Sequence, residues 1–317
     1  MKISLMAWGR SLLAGDGLDR TRAPLRSWGI ATEGGRAPIS PASRLLPFFL
    51  VLLFTATALA NPNPMTTNPS SQPGESRSVV ISGQPAQEFT VDGCRAFVIL
   101  PPQAVSGGRQ PWVWYAPTLP GLPAPEETWM FERFLAAGIA VAGIDVGESF
   151  GSPAGRAHFT ALYQELVQRR GFSSKPVLLA RSRGGLMLYN WAVEHPDAVA
   201  GVAGIYPVCN LSSYPTLAKA CGAYGLTEAE LAANLAAHNP VDRLAPLARA
   251  GVPILHLHGD QDAIVPLEQN SAALAARYRE AGGQVRLIVF PGQGHNYWPG
   301  WFQSQELLDF VIAQARK

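Results

Sequence analysis

The sequence predicts an α/β fold in which a mostly parallel central sheet carries helices on both faces. From residue 111 onwards, short and almost continuously apolar segments alternate with amphipathic segments. Strands that are apolar on both faces are typical of parallel sheets covered by helices. The composition agrees, because 47% of the 317 residues are hydrophobic and 15% are charged, as in a globular chain with a large core. The net charge of +2 gives no basic footprint, so no nucleic-acid partner is expected.

Residues 1–60 have the pattern of a secretory signal peptide with an extended, basic n-region. The apolar run 45–59 follows Arg44 and leads into an Ala-Leu-Ala ending, and these features are the marks of a cleaved signal. An uncleaved membrane anchor is the alternative, and the long segment ahead of the run leaves the true start codon open. We therefore expect a secreted or periplasmic protein that has no stable membrane partner once the leader is removed.

The rest of the chain is expected to be a linker and one domain. Residues 61–77 are rich in Pro, Asn and Ser and predict a flexible linker, so residues 78–317 form the folded domain. Three closely spaced strand candidates predict an antiparallel start to its sheet: 78–82, 87–91 and 95–100.

Strand and helix candidates then alternate, which predicts successive β-α-β units. The strand candidates are 111–116, 139–146, 176–180, 198–208, 253–259 and 285–291. The helix candidates are 125–137, 155–170, 184–195, 267–281 and 303–315. The Ala-rich segment 209–251 interrupts this alternation and is expected to be a small helical insertion over one edge of the sheet.

Polar residues follow three of the predicted parallel strands. Ser182 lies in PVLLARSRGG, Asp260 and Asp262 lie in HGDQDAIVP, and His295 lies in GQGHNYW. In open α/β sheets, ligands bind beyond the carboxyl ends of the strands. A serine hydroxyl becomes a nucleophile when a histidine takes its proton, and a carboxylate orients that histidine. The three segments therefore predict a nucleophilic site.

This arrangement resembles the α/β-hydrolase fold, whose catalytic residues follow the chain order Ser, Asp or Glu, His. The resemblance covers residues 78–316. HGDQDAIVP looks like the H-G-x-x-D-x-x-V-P turn of esterases and prolyl-oligopeptidase-like members, which assigns the acid to Asp262. The usual G-x-S-x-G turn is changed in its first glycine, which is Ala180 here. The resemblance implies a catalytic triad of Ser182, Asp262 and His295.

The resemblance also implies an oxyanion hole made of two backbone N–H groups. One belongs to Arg183, directly after the nucleophile, and the other to Thr118 or Leu119. Two roles are open for the Arg183 side chain. It polarises the substrate carbonyl, as an arginine at this place does in glucuronoyl esterases, or it pairs with a carboxylate such as Glu148 and braces the loop. Arg181 is expected to point away from the site.

Four further residues are candidates for substrate contact: Tyr115, Glu148, Trp298 and Trp301. The leading hypothesis is an exported serine hydrolase that cleaves carboxylic esters through an acyl-enzyme, with a small-molecule or carbohydrate-linked ester as its substrate. One alternative is a prolyl-oligopeptidase-like peptidase, although this length leaves no room for the β-propeller that gates large members of that family. The other alternative is a non-catalytic binding protein, against which the intact triad argues.

No cofactor or metal is expected. His256 and His258 alternate on one predicted strand, but no third ligand accompanies them, so packing explains them better than a metal. The three cysteines are Cys94, Cys209 and Cys221. Either Cys209 and Cys221 form a disulfide in an oxidising compartment, or all three are small buried residues.

Overall fold

A single mixed sheet organises the part of the chain that the structure describes. This computed structural model describes residues 76–103 and 108–317. The predicted signal peptide, and the predicted linker up to residue 75, lie outside the described residues. The strands are β1 (Arg77–Ile81), β2 (Gln84–Val91), β3 (Cys94–Ile99), β4 (Trp112–Ala116), β5 (Ala140–Asp145), β6 (Val177–Arg181), β7 (Gly201–Ile205), β8 (Ile254–Gly259) and β9 (Val285–Phe290).

The helices alternate with the strands from β4 onwards. They are α1 (Thr128–Ala136), α2 (Pro153–Gln164), α3 (Gly184–Ala192), α4 (Leu217–Ala220), α5 (Glu228–Ala233), α6 (Ala245–Arg249), α7 (Ser271–Glu280), α8 (Pro299–Phe302) and α9 (Gln305–Ala315). The strand order is β1-β2-β3-β5-β4-β6-β7-β8-β9. Three neighbouring pairs at one end of the sheet are antiparallel: β1–β2, β2–β3 and β3–β5. All the other pairs are parallel. The predicted α/β-hydrolase architecture is confirmed.

The central strands are buried on both faces, and their side chains divide into two cores. In β4, Trp112 and Trp114 pack on one face while Val113 and Tyr115 pack on the other, because successive side chains of a strand point to opposite sides. The first core also holds buried residues of α2, α3 and α7. The second holds buried residues of α1, α8 and α9. Helices on both faces therefore remove the central strands from water.

The sheet reverses its winding direction between β4 and β6. From β4 the chain crosses to β5 on one side, and it then returns past β4 to form β6 on the other side. Ligands bind at such a switch point in open α/β sheets, beyond the carboxyl ends of the strands. The loop after β4 and the turn after β6 therefore meet where a site is expected.

The segment 209–251 is a helical insertion, as predicted, and contains α4, α5 and α6. Buried asparagine side chains hold its start in place. Asn239 Oδ1 accepts a hydrogen bond from Leu211 N–H (2.9 Å) within the segment, and Asn270 Oδ1, directly before α7, accepts one from Cys209 N–H (2.9 Å). All three cysteines are free thiols, so Cys209 and Cys221 form no disulfide here. The alternative of three buried residues holds for Cys209 alone, since Cys94 and Cys221 are half-buried.

Two predicted elements have other bounds than expected. The strand candidate 198–208 reduces to β7, because a short helical turn at Pro196–Ala198 precedes it and Tyr206, with a φ of +36°, leaves the extended conformation before Pro207. The helix candidate 155–170 starts earlier, at Pro153, since Ser152 accepts a hydrogen bond from Gly155 N–H. Within the described residues, no helix has both the length and the apolarity that crossing a bilayer requires.

Gly184, the first residue of α3, is expected to be intolerant of any side chain. A Cβ there would overlap the backbone of Ala116 and Pro117. We expect Gly184→Ala to lower the free energy of unfolding by about 1–3 kcal/mol, because overpacking against backbone cannot relax freely. Urea unfolding followed by tryptophan fluorescence measures the change.

Gly222→Ala is the matched control. No heavy atom outside its chain neighbours lies within 4 Å of the position that its Cβ would take, so the free energy of unfolding should change by no more than about 0.5 kcal/mol. Equal stability of the two variants would contradict this account of the turn.

Candidate active site

Ser182 lies on a strained turn between β6 and α3. Its φ is +48°, a left-handed conformation that is uncommon outside glycine. Three backbone hydrogen bonds hold it there. Its N–H donates to Ile205 O (3.0 Å), and its carbonyl accepts from Val208 N–H (2.8 Å) and Gly185 N–H (2.9 Å). The side chain is thus raised beyond the carboxyl end of β6, in the manner of a nucleophile turn.

Ser182, His295 and Asp262 form one hydrogen-bonded relay. Ser182 Oγ lies 2.9 Å from His295 Nε2, and His295 Nδ1 lies 2.8 Å from Asp262 Oδ2. With Nδ1–H donating to the carboxylate, Nε2 is left free to accept the serine proton. The ring of Tyr206 packs on the His295 ring with centroids 4.3 Å apart, which restricts imidazole rotation. The structure therefore brings the three predicted catalytic residues into bonding distance.

Asp262 is a fully buried carboxylate whose negative charge is well satisfied. Its Oδ1 accepts hydrogen bonds from Ile264 N–H (3.0 Å) and Val265 N–H (2.8 Å). Burial on its own would raise the pKa of Asp262, but hydrogen bonds from His258, His295 and Val265 outweigh it and hold the pKa below its usual value. Asp262 therefore stays ionised and orients His295 throughout the neutral range.

Asp260, the other acid of the same turn, has a structural role. Its Oδ1 accepts a hydrogen bond from Gly292 N–H (2.7 Å) in the histidine loop. The backbone adds a second link, because Gln261 N–H donates to Gln293 O (2.9 Å). These bonds join the acid turn to the loop that carries His295, so the distance between Asp262 and His295 is set by backbone contacts.

A buried polar chain runs from β8 away from the triad. Tyr189 Oη lies 2.6 Å from His256 Nε2, and Ser271 Oγ lies 2.9 Å from His256 Nδ1 and 2.7 Å from His258 Nδ1. His258 Nε2 lies 2.8 Å from Val265 O. A carbonyl only accepts, so His258 Nε2 carries hydrogen. With the Tyr189 hydroxyl donating to His256 Nε2, every later donor points the same way, from Tyr189 towards Val265.

This series of hydrogen-bonded side chains ends at His258, next to the predicted catalytic acid Asp262. His258 Nε2 lies 3.5 Å from Asp262 Oδ2, with both side chains fully buried, so its N–H points positive charge density at the carboxylate. His256 and His258, two residues apart on β8, thus support the turn that carries Asp262. Among the described residues, no group of three or more His, Cys, Asp or Glu side chains is arranged to hold a metal ion.

Two of the three predicted oxyanion donors are free. Within the described residues, the backbone N–H groups of Arg183 and Thr118 donate no hydrogen bond. The N–H of Leu119 donates to Leu122 O (3.3 Å), so Leu119 is not available for this role. Arg183 lines the cavity beside Ser182, so its N–H is available to a substrate oxygen. Thr118 lines a neighbouring cavity, and its part in an oxyanion hole stays a prediction.

The two arginines beside Ser182 have different surroundings. Arg183 forms an ion pair with Glu148, which is the loop-bracing role that the sequence left open. Arg181 does not point away, and the expectation that it does is wrong. Arg181 lines the cavity beside Ser182, and its side chain forms a buried ion pair with Glu127, with Nη1 2.5 Å from Oε1. Arg181 is the last residue of β6, and Glu127 directly precedes α1.

A cavity of about 300 Å³ opens beside the nucleophile. Its polar and charged lining residues are Arg181, Ser182, Arg183, Tyr206, His295, Asn296 and Tyr297, and its remaining lining residues are Pro117, Pro120, Gly121 and Leu122. Burial raises the pKa of Tyr206 to about 12, so the hydroxyl is protonated. The cavity is therefore rich in hydrogen-bond donors.

None of the four residues predicted to contact substrate lines this cavity. Tyr115 is buried in the second core, where its hydroxyl donates to Glu127 Oε1 (2.7 Å). Trp301 is fully buried, and its Nε1–H donates to Asn296 Oδ1 (3.0 Å). Trp298 packs on Phe290 and Trp301. The two tryptophans thus support the histidine loop from behind, and Glu148 holds Arg183.

Tyr206 and Tyr297 are the aromatic residues that do line the cavity, and sequence reasoning missed both. A signal was present in each case. Tyr206 directly follows β7 at its carboxyl end, which is the position rule that selected Ser182. Tyr297 lies two residues after His295 and is 60% exposed.

The fold and the relay define a serine hydrolase. A strained nucleophile turn, a histidine base, a buried acid and two free backbone donors are the parts that such an enzyme uses. The chain has the α/β-hydrolase fold, which serine hydrolases of both the esterase and the prolyl-oligopeptidase-like kind share.

Comparison with known proteins agrees with this class. Residues 158–312 match the Prolyl oligopeptidase family. Acylamino-acid-releasing enzyme 2 of Oryza sativa subsp. japonica is 30% identical over 134 residues, which cover 39% of this chain and 17% of that protein. The match therefore spans less than a fifth of that relative's length.

Two solved structures show the same fold at low identity. An S-formylglutathione hydrolase from Agrobacterium tumefaciens has a TM-score of 0.60 and 17% identity, over 76% of this chain and 98% of that chain. Porphyromonas gingivalis dipeptidyl peptidase 4 has a TM-score of 0.58 and 13% identity, over 76% of this chain and 36% of that chain.

The neutral state of His256 has a consequence for stability. Burial first, and the neighbouring His258 second, lower the pKa of His256 to about 3, while an unfolded histidine titrates near 6.5. Between these two values the unfolded state binds one more proton than the folded state, so stability falls as the pH falls. We expect this residue alone to contribute a slope of about 1.4 kcal/mol per pH unit.

Chemical denaturation of the wild type and of His256→Gln between pH 7 and pH 4 measures this slope. The free energy of unfolding of the wild type should fall more steeply on acidification, because glutamine does not titrate and can still bridge Tyr189 and Ser271. Parallel curves for the two proteins would contradict a neutral His256.

Proposed function

We propose that this protein is an exported carboxylic-ester hydrolase that acts through an acyl-enzyme and takes carbohydrate-linked esters as its substrate class. One observation carries the proposal. Ser182 Oγ lies 2.9 Å from His295 Nε2 at the edge of an open cavity, next to the Arg183 N–H, which has no partner among the described residues.

Each step of ester cleavage has a group in place. Ser182 Oγ attacks the carbonyl carbon while His295 Nε2 takes its proton, and the N–H groups of Arg183 and Thr118 bind the oxygen as it gains negative charge. His295 then gives the proton to the departing alcohol. Water attacks the acyl-enzyme with the same histidine as base and releases the acid. Asp262 stabilises the imidazolium in both halves of the reaction.

The likeness in fold to the bacterial S-formylglutathione hydrolase supports an ester substrate. The exposed ring of Tyr297 at the cavity supports a carbohydrate-linked substrate, because aromatic side chains offer apolar surface with a polar tip. The apolar run 45–59 and its Ala-Leu-Ala ending support export.

A prolyl-oligopeptidase-like peptidase is the second candidate. It is favoured by the family match over residues 158–312 and by the rice relative, whose name describes release of acylated amino acids. The same triad can cleave an amide, since His295 can protonate an amine as it protonates an alcohol.

Initial-rate assays separate the two candidates. We expect the purified protein to hydrolyse p-nitrophenyl acetate and an acetylated xylan, and to leave N-acetyl-alanine p-nitroanilide and Gly-Pro p-nitroanilide intact. Ser182→Ala should lower esterase kcat by about 10³-fold or more, since nucleophile removal leaves only residual catalysis. Ser212→Ala, at an exposed serine of the insertion, is the matched control and should retain activity. Anilide cleavage without ester cleavage would favour the peptidase, and Ser182-independent turnover would contradict both.

A further inference from the structure

We infer that Arg181 is a substrate-binding residue, and that the ester which this enzyme cleaves carries a free carboxylate close to its scissile bond. The inference rests on the proposed ester hydrolysis and narrows its substrate class. It starts from the position of Arg181, which directly precedes the nucleophile in sequence and shares its cavity.

The guanidinium of Arg181 is buried and held by neighbours on several sides. Its side chain is 7% exposed, Nη1 donates to Glu127 Oε1 (2.5 Å), and the hydroxyls of Tyr115 and Tyr206 are further hydrogen-bond partners. The rings of Tyr297 and Phe302 lie 5.0 and 4.9 Å from Arg181 Cζ, so the group is fixed in orientation. A guanidinium has five N–H donors, more than these partners require, and Arg181 lines the cavity, where a ligand can take the remaining ones.

The carboxylate of Glu127 cannot serve these remaining donors. It is fully buried, and it also accepts hydrogen bonds from the Tyr115 hydroxyl (2.7 Å) and from Ala124 N–H (2.9 Å). Glu127 is not among the residues that line the cavity. Its bonds therefore hold the guanidinium from behind and leave the cavity side of Arg181 to a ligand.

The lining of the cavity has positive charge and no negative charge. Arg181 and Arg183 both line it, and none of its lining residues, all of which the structure describes, is Asp or Glu. The Tyr206 hydroxyl adds a neutral donor. A carboxylate is the group that matches a guanidinium fork with two parallel hydrogen bonds. A cavity of about 300 Å³ confines such an anion to the near surroundings of Ser182 Oγ.

Two pairs of chromogenic esters test this inference, and each pair differs in one charge. In the first pair the carboxylate is on the acyl side: mono-4-nitrophenyl adipate against its methyl ester. In the second pair it is on the alcohol side: 3-acetoxybenzoate against methyl 3-acetoxybenzoate. We expect the wild type to prefer the charged member of at least one pair by about tenfold or more in kcat/KM, through a lower KM, as charge-assisted hydrogen bonds typically provide.

Two variants with the same change at position 127 isolate the cation. Glu127→Gln keeps Arg181 and should keep or increase the preference for the charged ester, because the neutralising carboxylate is gone. Glu127→Gln with Arg181→Met removes the cation without leaving a buried unpaired carboxylate, and should reduce the preference to about unity. A structural role for Arg181 would leave the same preference in both variants and would overturn the inference.

Arg181→Lys covers the case in which the double variant does not fold. It retains the charge but loses the planar fork, so the preference should fall by about threefold or more, and an unchanged preference would overturn the inference. A wild type that hydrolyses both neutral esters without preferring either charged one overturns the role of Arg181 alone. Absence of any Ser182-dependent ester cleavage overturns the proposed function and this inference together.

Discussion

The active site depends on how closely the turn between β6 and α3 approaches its neighbours. Gly184 lies against the backbone of Ala116 and Gly185 against that of Val208, with no room for a Cβ at either. This contact places Ser182 between the ends of β4 and β7 and strains its φ to +48°. Such strain persists only where the surrounding structure fixes it, and three backbone hydrogen bonds do so here. The same approach brings the Arg183 N–H beside the loop that holds Thr118.

The second constraint on the site is that the buried carboxylate of Asp262 must stay ionised. Hydrogen-bond donors on β8 and in the loops beside it stabilise its charge. Taking a carboxylate out of water is costly unless hydrogen bonds replace the lost solvent. Two backbone N–H groups, His295 and the nearby His258 take that place, and the chain through Ser271 to Tyr189 fixes the direction of the last donor. Catalytic orientation is thereby tied to the packing of the first core, in which Tyr189 is fully buried.

Much of the fold and the three triad residues could be predicted from the sequence. Apolar segments that alternate with amphipathic ones indicate buried strands between helices, and the carboxyl ends of parallel strands lie at one edge of the sheet. Contacts between side chains that are distant in sequence could not be predicted in this way. Arg181 forms its ion pair with Glu127, which is 54 residues away, so no local pattern predicted that Arg181 lines the cavity. Trp301 lies close to His295 in sequence yet is core, since nearness to a catalytic residue says nothing about direction. Leu119 failed as a donor because a local bridge to Leu122 uses its N–H.

The central claim is that His295 and Asp262 activate Ser182 as a nucleophile. Reaction of the purified protein with a fluorophosphonate, followed by chymotryptic peptide mapping, tests it most directly. Trypsin is unsuitable because Arg181 and Arg183 flank the serine. We expect one adduct, on Ser182, formed far more slowly in His295→Gln. An adduct on another serine, or equal rates in the two proteins, would contradict the account.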